Sequence, residues 1–331
     1  MTKINKIKDF GETEKLSITV LVDNKASLIV DSTETIRYFK DEPLLAEHGF
    51  SVLLQFGNTG KNILWDAGVS KNALIDNLKR MNIDPAKINK IALSHGDYDH
   101  LGALSNLLEQ MDLLPNEKEW EKSVNCEQID NWIKKHQIPI VVHPAAFREK
   151  WSEKEDGTKV GPDFKPPIKE WQAKGADIIL SEKPYKLDEG CWTTGYIPRQ
   201  SFEKSGIPKN ALYRNDGRFF VDELDEDQAL IINIKKKGLV ILSGCAHSGI
   251  VNTVNYAKKI SGIDKVFAII GGFHLISSPM EEIQKTIDHI KVIDPDLIVP
   301  CHCSGFRAEC QFSHQMPDAF KEGIVGATYI F

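Results

Sequence analysis

The chain reads as an α/β protein of the αββα sandwich type, in which two mixed sheets lie face to face and helices cover their outer surfaces. Three observations point there. Short apolar runs bounded by turn residues fill the first hundred positions, segments of helical spacing follow them, and the second half repeats the alternation. Residues 17–22, 51–56, 62–65 and 91–93 read as strands, with Asn58-Thr59-Gly60 as a hairpin turn between the second and third. Residues 73–81 and 101–111 have helical spacing, and 138–142 is a further strand ended by His143-Pro144. In the second half, strands are expected at 229–234, 239–243, 266–270 and 297–299, and helices at 250–260 and 281–290.

Composition narrows the class. A chain of 331 residues with 41% hydrophobic and 27% charged content has enough apolar material for a large core. One domain spanning 1–331 is expected, with insertions at 115–137, charged and Trp-containing, and at 151–174, polar with three prolines. These insertions are candidate lids or contacts of a homodimer. The net charge of -6 disfavours broad attraction to nucleic acid and makes a small-molecule substrate the expected partner. Residues 1–15 lack the apolar stretch of a secretory leader, and no run approaches the roughly 18 apolar residues that span a bilayer, so a cytoplasmic protein without membrane contact is expected. Six cysteines in so long a chain are too few for a disulfide framework and are expected to be reduced.

The densest chemistry lies in Ser94-His95-Gly96-Asp97-Tyr98-Asp99-His100, at the end of an apolar run. His95 and Asp97, two apart, share a face if the strand continues, and a turn brings Asp99 and His100 round to join them. A polar turn capping a helix explains one carboxylate, not two imidazoles with two carboxylates, so the cluster is read as a metal site.

This pattern resembles the metallo-β-lactamase superfamily motif His-x-His-x-Asp-His, with Asp97 where the second His is expected. Asn62-Ile63-Leu64-Trp65-Asp66-Ala67-Gly68 and Asp296-Leu297-Ile298-Val299-Pro300-Cys301-His302 resemble two further elements of that superfamily. Ala46-Glu47-His48-Gly49-Phe50-Ser51, Thr194-Gly195-Tyr196-Ile197-Pro198-Arg199, Ser243-Gly244-Cys245-Ala246-His247-Ser248-Gly249-Ile250, Gly271-Gly272-Phe273-His274-Leu275 and Cys301-His302-Cys303-Ser304-Gly305 resemble a narrower group. It is the subfamily typified by an archaeal 7,8-dihydropterin-6-methyl-4-(β-D-ribofuranosyl)aminobenzene-5'-phosphate synthase.

The resemblance implies that the ligand loops gather at one edge of the sandwich and hold two divalent cations. By position, His95, Asp97 and a further His, taken to be His247, are assigned to the first cation, and Asp99, His100 and His302 to the second. Cys245 stands where the superfamily usually has a bridging carboxylate, and is either a thiolate ligand or a small residue under a tight turn. Zinc is the first expectation. A carboxylate at 97 adds an oxygen donor and negative charge, which brings manganese and iron into range. Asp66 is expected to orient a ligand or a bridging water through a hydrogen bond. His274 is read as a substrate contact ahead of a metal ligand or turn cap. Arg199 is a candidate fork for phosphate or carboxylate against a surface charge, and His143 a substrate contact against scaffolding. His48, His136, His289 and His314 are treated as ordinary polar residues.

The expected function is a dinuclear metal-dependent hydrolase, in which a metal-bridging hydroxide attacks an ester or phosphoester of a small anionic substrate. Asp99, His274 and Asp66 carry its chemistry, His274 or a metal-bound water supplying the leaving-group proton. The alternatives are a transferase of the pterin-pathway synthase type, a diiron oxidoreductase prompted by Asp97, and a metal-binding sensor without turnover.

Overall fold

The structure, a computed structural model, describes residues 6–113, 125–204 and 206–331. Among these residues, eight strands form one mixed sheet. Its spatial order is Ile36–Tyr38, Ala327–Ile330, Leu16–Val22, Ser51–Phe56, Lys61–Trp65, Lys90–Ala92, Ile138–Val142 and Ala176–Leu180. A second mixed sheet has six strands, ordered Tyr185–Asp188, Cys191–Thr193, Ala229–Ile234, Gly238–Ser243, Val266–Gly272 and Leu297–Cys301.

The apolar runs are continuous because both faces of each sheet are covered. Along Lys61–Trp65, Ile63 and Trp65 point into the core between the sheets while Leu64 packs under the helices outside. Along Gly238–Ser243, Val240 and Leu242 face that same central core, whereas Leu239 and Ile241 face the opposite helices. Period-two alternation therefore sorts one apolar run into two cores. Helices Lys71–Arg80 and Leu104–Met111 cover the first sheet, and Ile250–Ser261, Met280–Ile293 and Phe306–Gln315 cover the second. Each fully buried aliphatic side chain contributes on the order of 2 kcal/mol. This is the expected αββα sandwich.

Several expectations change in detail. The helix expected at 101–111 is two, Tyr98–Leu101, which begins directly behind Asp97, and Leu104–Met111, with the break at Gly102-Ala103. Of the expected insertion at 115–137, residues 115–124 lie outside the described residues, and Cys126–Lys135 is a helix closed by a reciprocal Asn125/Gln128 cap. The 151–174 segment, read as lacking period, is partly strand. Glu149–Glu153 and Lys159–Val160 join Ala211–Asn215 and Arg218–Val221 in a third, antiparallel sheet that sequence reading did not anticipate. No helix among the described residues is long and apolar enough to cross a membrane.

Lys61–Trp65 and Lys90–Ala92 run parallel in the first sheet, as do Gly238–Ser243, Val266–Gly272 and Leu297–Cys301 in the second. The loops leaving these strands carry the residues described next.

Candidate metal centre

After Lys90–Ala92 the chain continues through Leu93 and Ser94 to His95, and then turns so that Asp97 precedes the helix Tyr98–Leu101. Backbone hydrogen bonds fix that turn from outside: Phe50 N–H donates to the Asp99 carbonyl at 3.2 Å and Ala67 N–H to the His100 carbonyl at 2.7 Å. Gly96 is required here. A Cβ would lie 2.2 Å from the Ala146 carbonyl oxygen.

The second sheet approaches at Gly244, where a Cβ would sit 2.1 Å from Ser94 Oγ, so only glycine lets the two loops meet. Cys245 and His247 follow directly. His302, behind Leu297–Cys301, is positioned by Asp23 Oδ1, which accepts its backbone N–H at 3.0 Å.

Two groups of donors result. In the first, Asp97 Oδ2 lies 3.4 Å from His95 Nε2 and 3.5 Å from His247 Nε2. In the second, Asp99 Oδ2 lies 3.4 Å from His302 Nε2, 3.8 Å from His100 Nε2 and 3.3 Å from His48 Nε2. Cys245 Sγ stands between them, 3.2 Å from His100 Nε2, and clusters with His95 and His100, with His247 and His274, and with His302 and Cys303.

The residues fit a metal. His95, His247 and His302 each bury an Nε2 that has no hydrogen-bond partner, an arrangement costly unless something else satisfies the nitrogens. Donors sharing a tetrahedral ion at about 2.0–2.1 Å stand about 3.3 Å apart, close to the spacings from Asp97 to His95 and His247 and from Asp99 to His302.

The outer nitrogens are fixed. Asp66 Oδ2 and His100 Nδ1 are 2.7 Å apart, while Asp66 also accepts from Ser94 N–H and Ser94 Oγ, each at 2.7 Å. His247 Nδ1 lies 2.6 Å from the Gly206 carbonyl, and Ser94 Oγ 2.7 Å from His95 Nδ1. Such contacts set the tautomer that turns Nε2 inward.

Charge is concentrated here. Burial opposes protonation of His100, but Asp99 and Asp66 outweigh it and raise the imidazole to about 9. At His247 burial is likewise overcome, chiefly by Asp97, again to about 9. His95 is pushed down by burial and by the neighbouring His100. Burial raises Cys245 well above the usual thiol range, an effect that coordination to a cation would reverse.

The centre forms the floor of a cavity of about 560 Å³. The third sheet and its flanking loops build much of the wall, with Trp151, Phe164, Pro208, Leu212 and Leu224 supplying apolar surface. His274 lines it too, its ring 4.3 Å from that of His247, with a buried Nδ1 that has no partner.

Two expected substrate contacts stand elsewhere. Arg199 donates to the backbone carbonyls of Glu223 and Leu224 and is not among the cavity-lining residues. His143 accepts the Ala145 N–H at 3.2 Å, capping the turn Pro144–Phe147, and does not line the cavity either. In each case a backbone group takes up one side-chain nitrogen, Nη2 of Arg199 and Nδ1 of His143.

Three residues at the centre were not foreseen. His48 had only its place in the Ala46-to-Ser51 segment to signal it. Lys150, which donates to Asp97, and Glu226, which accepts from Lys150, lay in charged stretches that carry no motif.

The sequence profile of the metallo-beta-lactamase superfamily matches residues 45–113, the segment that contains His95, Asp97, Asp99 and His100. The chain belongs to the metallo-beta-lactamase superfamily. It is 32% identical over 321 residues to the 7,8-dihydropterin-6-methyl-4-(beta-D-ribofuranosyl)-aminobenzene-5'-phosphate synthase of Methanocaldococcus jannaschii, a match covering 95% of this chain and 96% of that one. An uncharacterized protein of the same archaeon is 33% identical over 299 residues, covering 90% and 97%. Among solved structures, a metal-dependent hydrolase of the beta-lactamase superfamily superposes with a TM-score of 0.69 at 21% identity, over 95% of this chain and 98% of the other. That likeness speaks for the fold.

Proposed function

We propose that this protein is a dinuclear metal-dependent hydrolase acting on an ester or phosphoester of a small anionic substrate. The observation that carries the reading is the convergence of His95, His247 and His302, each with an unpartnered buried Nε2, on two carboxylates at the floor of a cavity. Two divalent cations bound there would supply Lewis acidity and an activated water as nucleophile. Zinc suits the imidazole-rich donor set with a thiol at its centre, and the oxygens of Asp97 and Asp99 leave manganese and iron open.

The chain's own residues divide the work. His95, Asp97 and His247 hold one position, and Asp99, His100 and His302 the other, with Cys245 between them. Asp66 orients His100 from behind and touches no substrate. His274, whose side chain lines the cavity beside His247, is suited to hand a proton to a leaving group. The apolar wall of Trp151, Phe164 and Leu212 suits the uncharged body of a substrate whose anionic end meets the cations.

The test is reconstitution of metal-free protein with zinc, manganese or iron, assayed on a phosphomonoester, a phosphodiester, a lactone and a β-lactam. Metal-dependent turnover of an ester or phosphoester supports the reading. Absence of turnover with every metal on every substrate rejects it.

A second reading is favoured by the relative that is 32% identical across nearly the whole chain: a synthase-type transfer, with a second substrate in place of water as the nucleophile. Formation of the aminobenzene-phosphate product named for that relative, with no ester hydrolysis, would select it. A cytoplasmic location and a homodimer belong to the same proposal, supported by the composition and by the insertion at 151–174, whose Trp151, Asp163 and Phe164 line the cavity.

A further inference from the structure

The Asp97 carboxylate divides its two oxygens. Oδ2 faces His95 and His247, and Oδ1 accepts from Lys150 Nζ at 2.7 Å. Lys150 is itself held, its Nζ lying 2.6 Å from Glu226 Oε1, and both side chains are withdrawn from solvent. These three residues come from different parts of the fold. Asp97 leaves the first sheet, Lys150 sits on Glu149–Glu153 of the third, and Glu226 lies in the loop that enters Ala229–Ile234 of the second.

A carboxylate with both oxygens free can swing, or chelate an ion through both at once. One whose Oδ1 is tied to a buried ammonium offers a single oxygen in a fixed direction. Asp222 also acts on the lysine's charge through space, but among the described residues the direct ion pairs of Lys150 are with Asp97 and Glu226. Asp222 has Arg148 at 3.6 Å, and Arg148 also reaches Asp225 at 3.3 Å.

We propose that Lys150, anchored by Glu226, is a positioning residue that makes Asp97 a one-oxygen ligand of the first cation and offsets part of its charge. The third sheet thereby has a second task besides walling the cavity: it delivers the lysine that tunes the centre. This inference rests on the dinuclear reading above and makes a separate demand of it. The lysine matters only while position 97 is a carboxylate, because a neutral imidazole there would need neither a fixed second oxygen nor a counter-charge.

The experiment is zinc binding by the metal-free protein, measured in competition with a chromophoric chelator. Lys150→Met is made together with Glu226→Gln, so that Glu226 is not left as an unpaired buried carboxylate, and thermal melting confirms that the variant folds. The wild type is expected to bind two zinc ions. In the paired variant the Kd of one position is expected to rise by about 10- to 100-fold, and that of the other to stay within about threefold. Adding Asp97→His to the pair is expected to restore the weakened position. An unchanged Kd in the paired variant overturns the inference alone. So does equal weakening of both positions without rescue by Asp97→His, which would make Lys150 a general support of the fold. A wild type that takes up no zinc, manganese or iron rejects the dinuclear reading, and this inference falls with it.

Discussion

The two carboxylates of the centre stand two residues apart in the chain and meet opposite surroundings. Asp97 is shared between imidazoles on one oxygen and the Lys150 ammonium on the other. Asp99 has no lysine or arginine beside it among the described residues; His48, His100 and His302 all turn toward its Oδ2. The difference separates their tasks. Asp97 is fixed from the protein side by a counter-charge, whereas Asp99 is fixed by the same ring nitrogens that would share its cation. Removing the cation ought therefore to disturb the second position more than the first.

The largest effect should come from Asp99→Ala. It takes away the carboxylate around which three imidazoles are arranged, and turnover is expected to fall by on the order of 10³-fold, equivalent to about 4 kcal/mol of transition-state stabilisation. One bound metal should be lost, as read by elemental analysis. Activity within about twofold of wild type would erase the distinction drawn between the two carboxylates.

Trp151→Ala probes the wall instead of the floor. Trp151 sits beside Lys150 on the third sheet and lines the cavity, so its removal should raise KM by about tenfold while leaving kcat within about twofold. A fall in kcat with unchanged KM would mean that the third sheet serves the chemistry and not the substrate body.

How the centre could be read from sequence follows the same division. His95, Asp97, Asp99 and His100 announce themselves because a strand end and a tight turn hold them within six positions. The sandwich was legible because strands such as Ser51–Phe56 and Ala229–Ile234 are buried on both faces and leave continuous apolar runs. The third sheet left no such trace. Glu149–Glu153 places Lys150 inward amid half-exposed neighbours, and Lys159–Val160 has only two residues, both exposed. Lys150 and Glu226 escaped notice for a related reason: a buried ion pair is made by tertiary convergence, and either residue alone looks like surface charge. Arg199 is the converse, an anion-fork candidate whose Nη2 donates to two backbone carbonyls away from the cavity.

A control away from the centre sharpens the comparison. Asp188, at the edge of the second sheet, accepts from Thr59 Oγ1 at 2.5 Å and Lys61 Nζ at 2.9 Å, which belong to the hairpin of the first. Burial acts to raise this carboxyl, but those two donors outweigh it and hold it below its ordinary value of 3.8. Its stabilisation is therefore present above pH 3.8 and is lost as the pH falls through the lower folded-state value. Asp188→Asn should cost about 1 kcal/mol at neutral pH and flatten the acid limb of a melting-temperature profile, with both cation positions intact. Loss of a metal in this variant would show that the centre depends on the packing of the sheets more broadly than its own donors indicate.

His48→Ala should give the smallest change. The side chain is largely exposed and approaches Asp99 from the cavity side, so a threefold to fivefold loss of turnover, about 1 kcal/mol, is expected with metal content unchanged. Loss of the second cation would promote His48 to a ligand.

The central claim is that these separated loops cage two cations. Anomalous diffraction at the zinc edge, from crystals of the protein grown with zinc, tests it most directly. Two peaks about 3.5 to 4 Å apart are expected, one among His95, Asp97 and His247 and the other among Asp99, His100 and His302. A cavity floor without peaks, or zinc bound only at other residues, would contradict the account.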